Sequence, residues 1–228
     1  MLMINLKNVT KIYPTGTVAL RNLNLHVAPG EFLSVIGQSG SGKTTLVKLL
    51  IVEERPDKGQ ISIGDWDIDR ISFSEVPFLR RQIGVIFQDY KLLPQKTILE
   101  NVAFALEVAG EPQKHIHQVV PQVLEIVGLH KKAKHYPTQL SGGEQQRVAI
   151  ARSLVHRPKI IIADEPTGNL DTINTEEIIE ILKKINEVGT TILLFTHNRE
   201  IVNRLRRRVI TLHNGEITMD QAEGKYVL

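Results

Sequence analysis

Gly37-Gln38-Ser39-Gly40-Ser41-Gly42-Lys43-Thr44 lies between the apolar run Leu33 to Ile36 and a segment, 43–52, whose apolar residues recur at helical spacing. The octapeptide matches G-x-x-x-x-G-K-[ST], and a strand before it and a helix after it are the context that gives this pattern meaning. Glycines let the backbone curl so that consecutive N–H groups point inward at phosphate oxygens, at the positive end of the following helix. Lys43 is then expected to reach the β- and γ-phosphates and the Thr44 hydroxyl to ligate Mg²⁺, with Thr45 beside it at the helix start. A chance glycine-rich turn is the competing reading, and the strand-then-helix context weighs against it. Nucleotide binding is the expectation.

Outward from this loop, strand and helix alternate. Leu23, Leu25 and Val27, then Phe32, Leu33, Val35 and Ile36, flank Ala28-Pro29-Gly30 and read as two strands joined by a turn. Residues 4–13 alternate polar and apolar, and short β-branched runs at 61–63, 83–87, 159–163, 191–196 and 209–212 read as strands. Apolar positions three and four apart predict helices at 43–52, 74–81, 144–155 and 175–188. The expected class is α/β, a P-loop fold with a mixed, partly parallel sheet and antiparallel strands supplied by the N-terminal third. From 89 to 155 there is no strand pattern. Helices are predicted there at 98–108, 114–127 and 144–155, interrupted by Gly110, Pro112, Gly128 and Pro137. The expected organisation is one domain over 1–228, with an α/β core from 1–88 and 156–228 and an inserted helical subdomain at 89–155.

Composition excludes several classes. The 228 residues are 42% hydrophobic and 23% charged with 16 glycines, ordinary usage that argues against disordered, collagen-like and low-complexity chains. No apolar stretch nears the roughly 18 residues of a spanning helix, and the N-terminus shows no basic start followed by an apolar core, so a cytosolic chain is expected. Zero cysteines exclude disulfides and thiol chemistry and fit a reducing compartment. Lys+Arg 28 against Asp+Glu 25 leave a net charge of +3, too small an excess to imply nucleic acid. The clusters Lys131-Lys132-Lys134 and Arg204 with Arg206 to Arg208 lack interleaved aromatics and read as solvated faces.

The run Ile160-Ile161-Ile162-Ala163 is a buried strand by composition, yet it ends in Asp164-Glu165. Two carboxylates there are costly unless a cation or chemistry uses them. In a P-loop protein the Asp on a neighbouring strand orients Mg²⁺ or its water, which assigns Asp164. Glu165, one residue further out, is placed to polarise a water for in-line attack on the γ-phosphate. A solvated acidic turn is the alternative, since Pro166-Thr167-Gly168-Asn169 reads as a turn.

Leu140-Ser141-Gly142-Gly143-Glu144-Gln145-Gln146-Arg147 completes a set with the phosphate loop, Asp164-Glu165, Asn169-Leu170-Asp171 and His197. In this order and over almost the whole chain, the set resembles the nucleotide-binding subunit of an ATP-binding cassette (ABC) system. The resemblance implies an ATPase that converts ATP and water to ADP and phosphate with Mg²⁺. It implies an aromatic that stacks on adenine, matched by Tyr13, and a glutamine between the core and the helical subdomain that serves Mg²⁺ and water positioning, matched by Gln88. His197 is implied to hydrogen-bond the γ-phosphate and to hold the water and Glu165. From residue type alone, Tyr13 is equally a core or edge aromatic, Gln88 a polar strand end, His197 a packed or turn histidine, and Ser141 a helix N-cap.

The resemblance further implies that two cassettes pair head to tail, each ATP lying between one subunit's loop and the other's Ser141-Gly142-Gly143. One cassette is encoded here, so a homodimer formed on ATP binding is expected, with Asp171 near its interface. Within the family, 80–94 and 97–102 are similar to the branch serving bacterial cell division, as is 206–212. That branch implies an FtsX-like transmembrane subunit and a peripheral place on the cytoplasmic face of the plasma membrane, with no nucleic acid. Branches serving lipoprotein release and macrolide export share nearly the same 163–171 and are the alternative. Membrane subunits of the family press a short helix into a groove, which assigns 89–101 as contact surface; Leu92, Leu93 and Pro94 are equally subdomain core or turn residues. Two departures stand out. Asn198 replaces the family's usual Asp after the histidine, and Ile51-Val52-Glu53-Glu54 is unusual and reads as surface variation.

Overall fold

A computed structural model of the chain describes residues 3–224. The alternating N-terminal segments form a four-stranded antiparallel sheet in the order β2-β1-β4-β5, from β1 (Ile4–Ile12), β2 (Val18–Val27), β4 (Lys58–Ile63) and β5 (Trp66–Asp67). The second sheet has the order β10-β9-β3-β8-β7-β6. Its strands are β3 (Phe32–Ile36), β6 (Ile83–Ile86), β7 (Ile160–Asp164), β8 (Thr191–Phe195), β9 (Arg208–His213) and β10 (Glu216–Gln221). All its pairs are parallel except β9 with β10. The helices are α1 (Lys43–Leu50), α2 (Val76–Arg81), α3 (Ile98–Val108), α4 (Gln113–Ile126), α5 (Gly142–Leu154), α6 (Thr172–Glu187) and α7 (Arg199–Leu205).

Continuous β-branched runs suit strands buried on both faces, and the two faces feed different cores. Ile160 and Ile162 of β7, with Leu193 and Phe195 of β8, pack with the antiparallel sheet, α1 and α2. Ile161 and Ala163, with Ile192 and Leu194, pack with α3, α4, α5 and α6. The result is three layers, and period-two alternation along β7 and β8 sorts each residue to its side. Within the described part of 89–155 there are helices and no strand. Helix α4 continues through Pro121.

Several elements differ from the sequence reading. The strands on either side of Ala28-Pro29-Gly30 are joined by that turn but belong to different sheets. The acidic strand β7 is not next to β3, because β8 lies between them. Three elements escape periodicity: β5 has two residues, α7 carries few apolar positions, and β10 is a half-exposed edge strand. Asn214 and Gly215 have φ of 48° and 81°, the pair of left-handed residues a tight hairpin needs, so the Asn-Gly dipeptide was the signal for β10. Ile51 is not surface variation. It is 8% exposed, and its carbonyl accepts from Arg80 Nε at 2.9 Å. Glu53 and Glu54 do lie at the surface end, paired with Lys48 and Lys11.

Candidate functional site

Register brings the functional residues together. Val35 of β3 and Asp164 of β7 both align with Phe195 of β8, and Ile86 of β6 aligns with Ala163. The phosphate loop, Glu165, His197 and Gln88 therefore leave four strands at one carboxyl edge, the place where open α/β sheets hold ligands. Two backbone bonds tie the exits together: Glu165 N–H to Phe195 C=O at 2.9 Å and Thr196 N–H to Val35 C=O at 3.2 Å.

The loop depends on its glycines. Gly42 is the N-cap of α1 with φ 107°, and a Cβ there would stand 2.6 Å from the Ala19 carbonyl oxygen. A Cβ on Gly37 would overlap the Leu212 carbonyl. No side chain caps α1, so its N–H groups face the loop without an internal acceptor from the cap residue. Lys43 folds over the loop, donating to the carbonyls of Gly37 at 2.6 Å and Gln38 at 3.1 Å. Burial holds its ammonium below the ordinary lysine value, against the opposing pull of Glu165 and Asp164.

One cavity of about 800 Å³ is lined by Tyr13, the whole run from Gly37 through Thr45, Gln88, Asp164, Glu165 and His197. Tyr13 closes one side, half-buried in the β1–β2 turn, its hydroxyl 3.3 Å from the buried Thr45 hydroxyl. Burial first, and then the charge of Glu165, push the Asp164 carboxyl up, while Lys43 pulls it down. Glu165 has φ 49°, a left-handed conformation that costs a side-chain-bearing residue roughly 1–2 kcal/mol. The His197 ring fixes it there, with Nδ1 2.7 Å from Glu165 Oε1. The histidine side chain is 67% exposed and the glutamate 14%, so the carboxylate is sheltered while its partner faces the cavity mouth.

The remaining predicted residues stand apart. Ser141, Gly142, Gly143 and Asp171 do not line that cavity. Ser141 caps α5 in a reciprocal box: its Oγ accepts from Glu144 N–H at 3.3 Å, and its own N–H donates to Glu144 at 3.1 Å. A Cβ on Gly143 would fall on the Asn174 side chain. Asp171 caps α6, accepting from the Asn174 N–H at 2.9 Å and side-chain amide at 2.6 Å, bonds that hold its carboxyl below the usual range. Asn198, at the position of the family's Asp, caps α7 by accepting from Glu200 and Ile201 N–H groups.

Two contributions were not legible in the sequence. Asn169 exchanges amide contacts with Gln88, each 3.4 Å, and Gly168 leaves room for the Gln88 side chain, whose Nε2 would stand 2.8 Å from a Cβ there. Thr17, Val18 and Ala19 complete the cavity wall beside Tyr13. Asn169 stands in the Asn169-Leu170-Asp171 motif, but its contact with Gln88 spans 81 residues, and no motif marks Thr17 to Ala19.

The donor set fits magnesium. A hydroxyl (Thr44), an amide (Gln88) and a carboxylate (Asp164) are hard oxygen donors, and all three line the same cavity. Among the described residues no group of three or more His, Cys, Asp or Glu is placed to hold a metal, as suits an ion that takes much of its shell from phosphate and water. Among the described residues, too, no helix is long and apolar enough to cross a membrane.

Residues 20–168 match the family described as ABC transporter. The chain is 50% identical over 226 residues to the cell division ATP-binding protein FtsE of Streptococcus pneumoniae serotype 2, covering 99% of this chain and 98% of that one. It is 52% identical to the protein of that name from Bacillus subtilis, over 98% of each chain. The Escherichia coli protein of that name is 46% identical, over 94% of this chain and 97% of that one. Among solved structures, the dimeric post-hydrolysis state of the ATP-binding cassette MJ0796 bound to ADP and Pi matches with a TM-score of 0.88 and 37% identity, over 98% of this chain and 100% of that one.

Proposed function

This chain belongs to the ABC transporter family, and from that premise we propose that it is the ATP-binding and ATP-hydrolysing subunit of a membrane complex serving bacterial cell division. It works as a homodimer formed on ATP binding, with an FtsX-like transmembrane subunit, on the cytoplasmic face of the plasma membrane. Residues 1–88 and 156–228 act as the α/β core and 89–155 as the helical subdomain, with 1–2 and 225–228 lying outside the described residues. The names of the relatives, 46–52% identical over nearly the full chain, favour this branch over lipoprotein release or macrolide export.

Tyr13 stacks on adenine, and the N–H groups from Gly37 to Thr45 with the Lys43 ammonium hold the phosphates. Thr44, Gln88 and Asp164 hold Mg²⁺, which neutralises charge on the β- and γ-phosphates when bound. Glu165 accepts the proton of the attacking water, and His197 keeps the glutamate oriented and reaches toward the γ-phosphate. Ser141, Gly142, Gly143 and Asp171 complete the site of the second copy. The observation that carries this reading is the 2.7 Å Glu165–His197 pair, set on the same strand edge as the phosphate loop.

Phosphate release from Mg²⁺-ATP tests the chemistry: Glu165→Gln is expected to lower it by about a thousandfold while nucleotide binding survives. Retention of most activity would remove Glu165 from its role. The partner is tested by cross-linking in native membranes. Leu93 is pinned, its N–H donating to Asn101 Oδ1 at 2.8 Å, whereas Gln95 is exposed. Gln95→Cys in this cysteine-free chain is therefore the better probe, expected to capture an FtsX-like subunit; a lipoprotein-release or exporter permease would replace the biological role.

A further inference from the structure

The turn after Gln88 reaches the same helix at two places. Tyr90 and Lys91 are consecutive residues in the left-handed region, with φ 53° and 51°. Side chains oppose that conformation, and two in a row persist only where the surroundings hold them. Arg152, in the last turn of α5, does the holding: its guanidinium donates to the Tyr90 carbonyl at 2.8 Å and to the Lys91 carbonyl at 2.6 Å. Within the turn, Lys91 N–H donates to the Asp89 carbonyl at 2.5 Å, and the Lys91 ammonium pairs with the Asp89 carboxylate at 2.7 Å. The Tyr90 phenol, half-buried, reaches the other end of α5, where a Cβ on Gly142 would stand 3.1 Å from its oxygen. Leu170 and Asn174 also lie against the start of α5. Gln88 is thus two residues from a strained turn that grips α5 near both ends.

We propose that Arg152 is a positioning residue: by clamping the Tyr90–Lys91 turn it ties the position of Gln88 to that of Ser141-Gly142-Gly143, so that the face offered to a second copy is aligned through this clamp. The proposal rests on the homodimer reading above. It separates two quantities. Nucleotide binding to one chain uses the cavity, which Arg152 does not line, whereas pairing of two chains uses the start of α5.

The test uses the full chain carrying Glu165→Gln, with ATP affinity measured at dilution and the dimer dissociation constant measured by sedimentation with saturating Mg²⁺-ATP. Adding Arg152→Ala is expected to weaken the dimer about tenfold, the worth of roughly two lost hydrogen bonds, with ATP affinity changed less than about twofold. Adding Lys91→Gly to that variant should recover much of the loss, because glycine takes the left-handed conformation without steric opposition. Recovery distinguishes a clamp on the turn from a general role in α5. Should Arg152→Ala not fold, Arg152→Lys decides, with an expected loss of about threefold, because an ammonium cannot fork to both the Tyr90 and Lys91 carbonyls. Unchanged dimerisation in the folded variants, or no recovery with Lys91→Gly, overturns the proposal. A Glu165→Gln parent that fails to dimerise overturns the homodimer reading as well.

Discussion

Ser41-Gly42-Lys43 and Ser141-Gly142-Gly143 both open a helix through glycine, yet their surroundings are opposite. At the first, the cap is a left-handed glycine with no side-chain acceptor, and Lys43, Asp164, Glu165 and Gln88 gather in the cavity before it. At the second, a serine and a glutamate satisfy each other's N–H groups, and the flanks are filled by Tyr90, Leu170 and Asn174. A helix start left without its own cap is fit to take an anion by itself. A self-capped start outside the cavity contributes only when another body brings the anion to it, which is the physical basis for reading one chain as half of two sites.

The contrast makes graded predictions. Gly42→Ala puts a Cβ onto the Ala19 carbonyl at φ 107°, so a loss of about 3 kcal/mol in stability and near-complete loss of nucleotide binding are expected in melting and binding assays. Gly143→Ala would place a Cβ onto Asn174 Oδ1 and 2.9 Å from its Cβ, so the start of α5 must shift; about 2 kcal/mol is expected, with ATP affinity intact and dimer formation impaired. Loss of nucleotide binding by this variant would erase the distinction between the two turns. Ser141→Ala removes the cap of α5 and should cost about 1 kcal/mol by denaturant titration, with no effect on ATP affinity.

The smallest effect is one of pH. The Asp164 carboxyl is raised in the folded chain, mainly by burial, so the favourable contribution of its protonated form is complete below the unfolded value of roughly 4 and is lost as pH rises through the folded one. Asp164→Asn is therefore expected to raise the nucleotide-free Tm at pH 7 to 8, and to lose that advantage as the pH falls toward 4. An advantage that grows on acidification would contradict the burial argument.

What was legible in the sequence followed from how local each constraint is. The phosphate loop is contiguous, so glycine geometry, lysine and hydroxyl stand at fixed spacing. Strands β7 and β8 declare themselves because both faces are buried. Strand order does not follow from such patterns, and the assumption that the acidic strand adjoins the loop strand fails because β8 is threaded between them. The left-handed backbone at Glu165, the Asn169–Gln88 contact and the Arg152 clamp, 61 and 62 residues from its acceptors, exist only after the chain has folded. Asn101 is similar: fully buried, it donates to the carbonyls of Leu93, Lys96 and Thr97 and so shapes the segment expected to meet the membrane subunit, though in sequence it is a polar residue of a helix with no motif to mark it.

Sedimentation of the Glu165→Gln protein with and without Mg²⁺-ATP is the most direct test of a site divided between two copies. A monomer without nucleotide that becomes a dimer with it is the predicted result. A protein that binds ATP and remains monomeric at high concentration would contradict it, leaving Ser141-Gly142-Gly143 as no more than a helix cap.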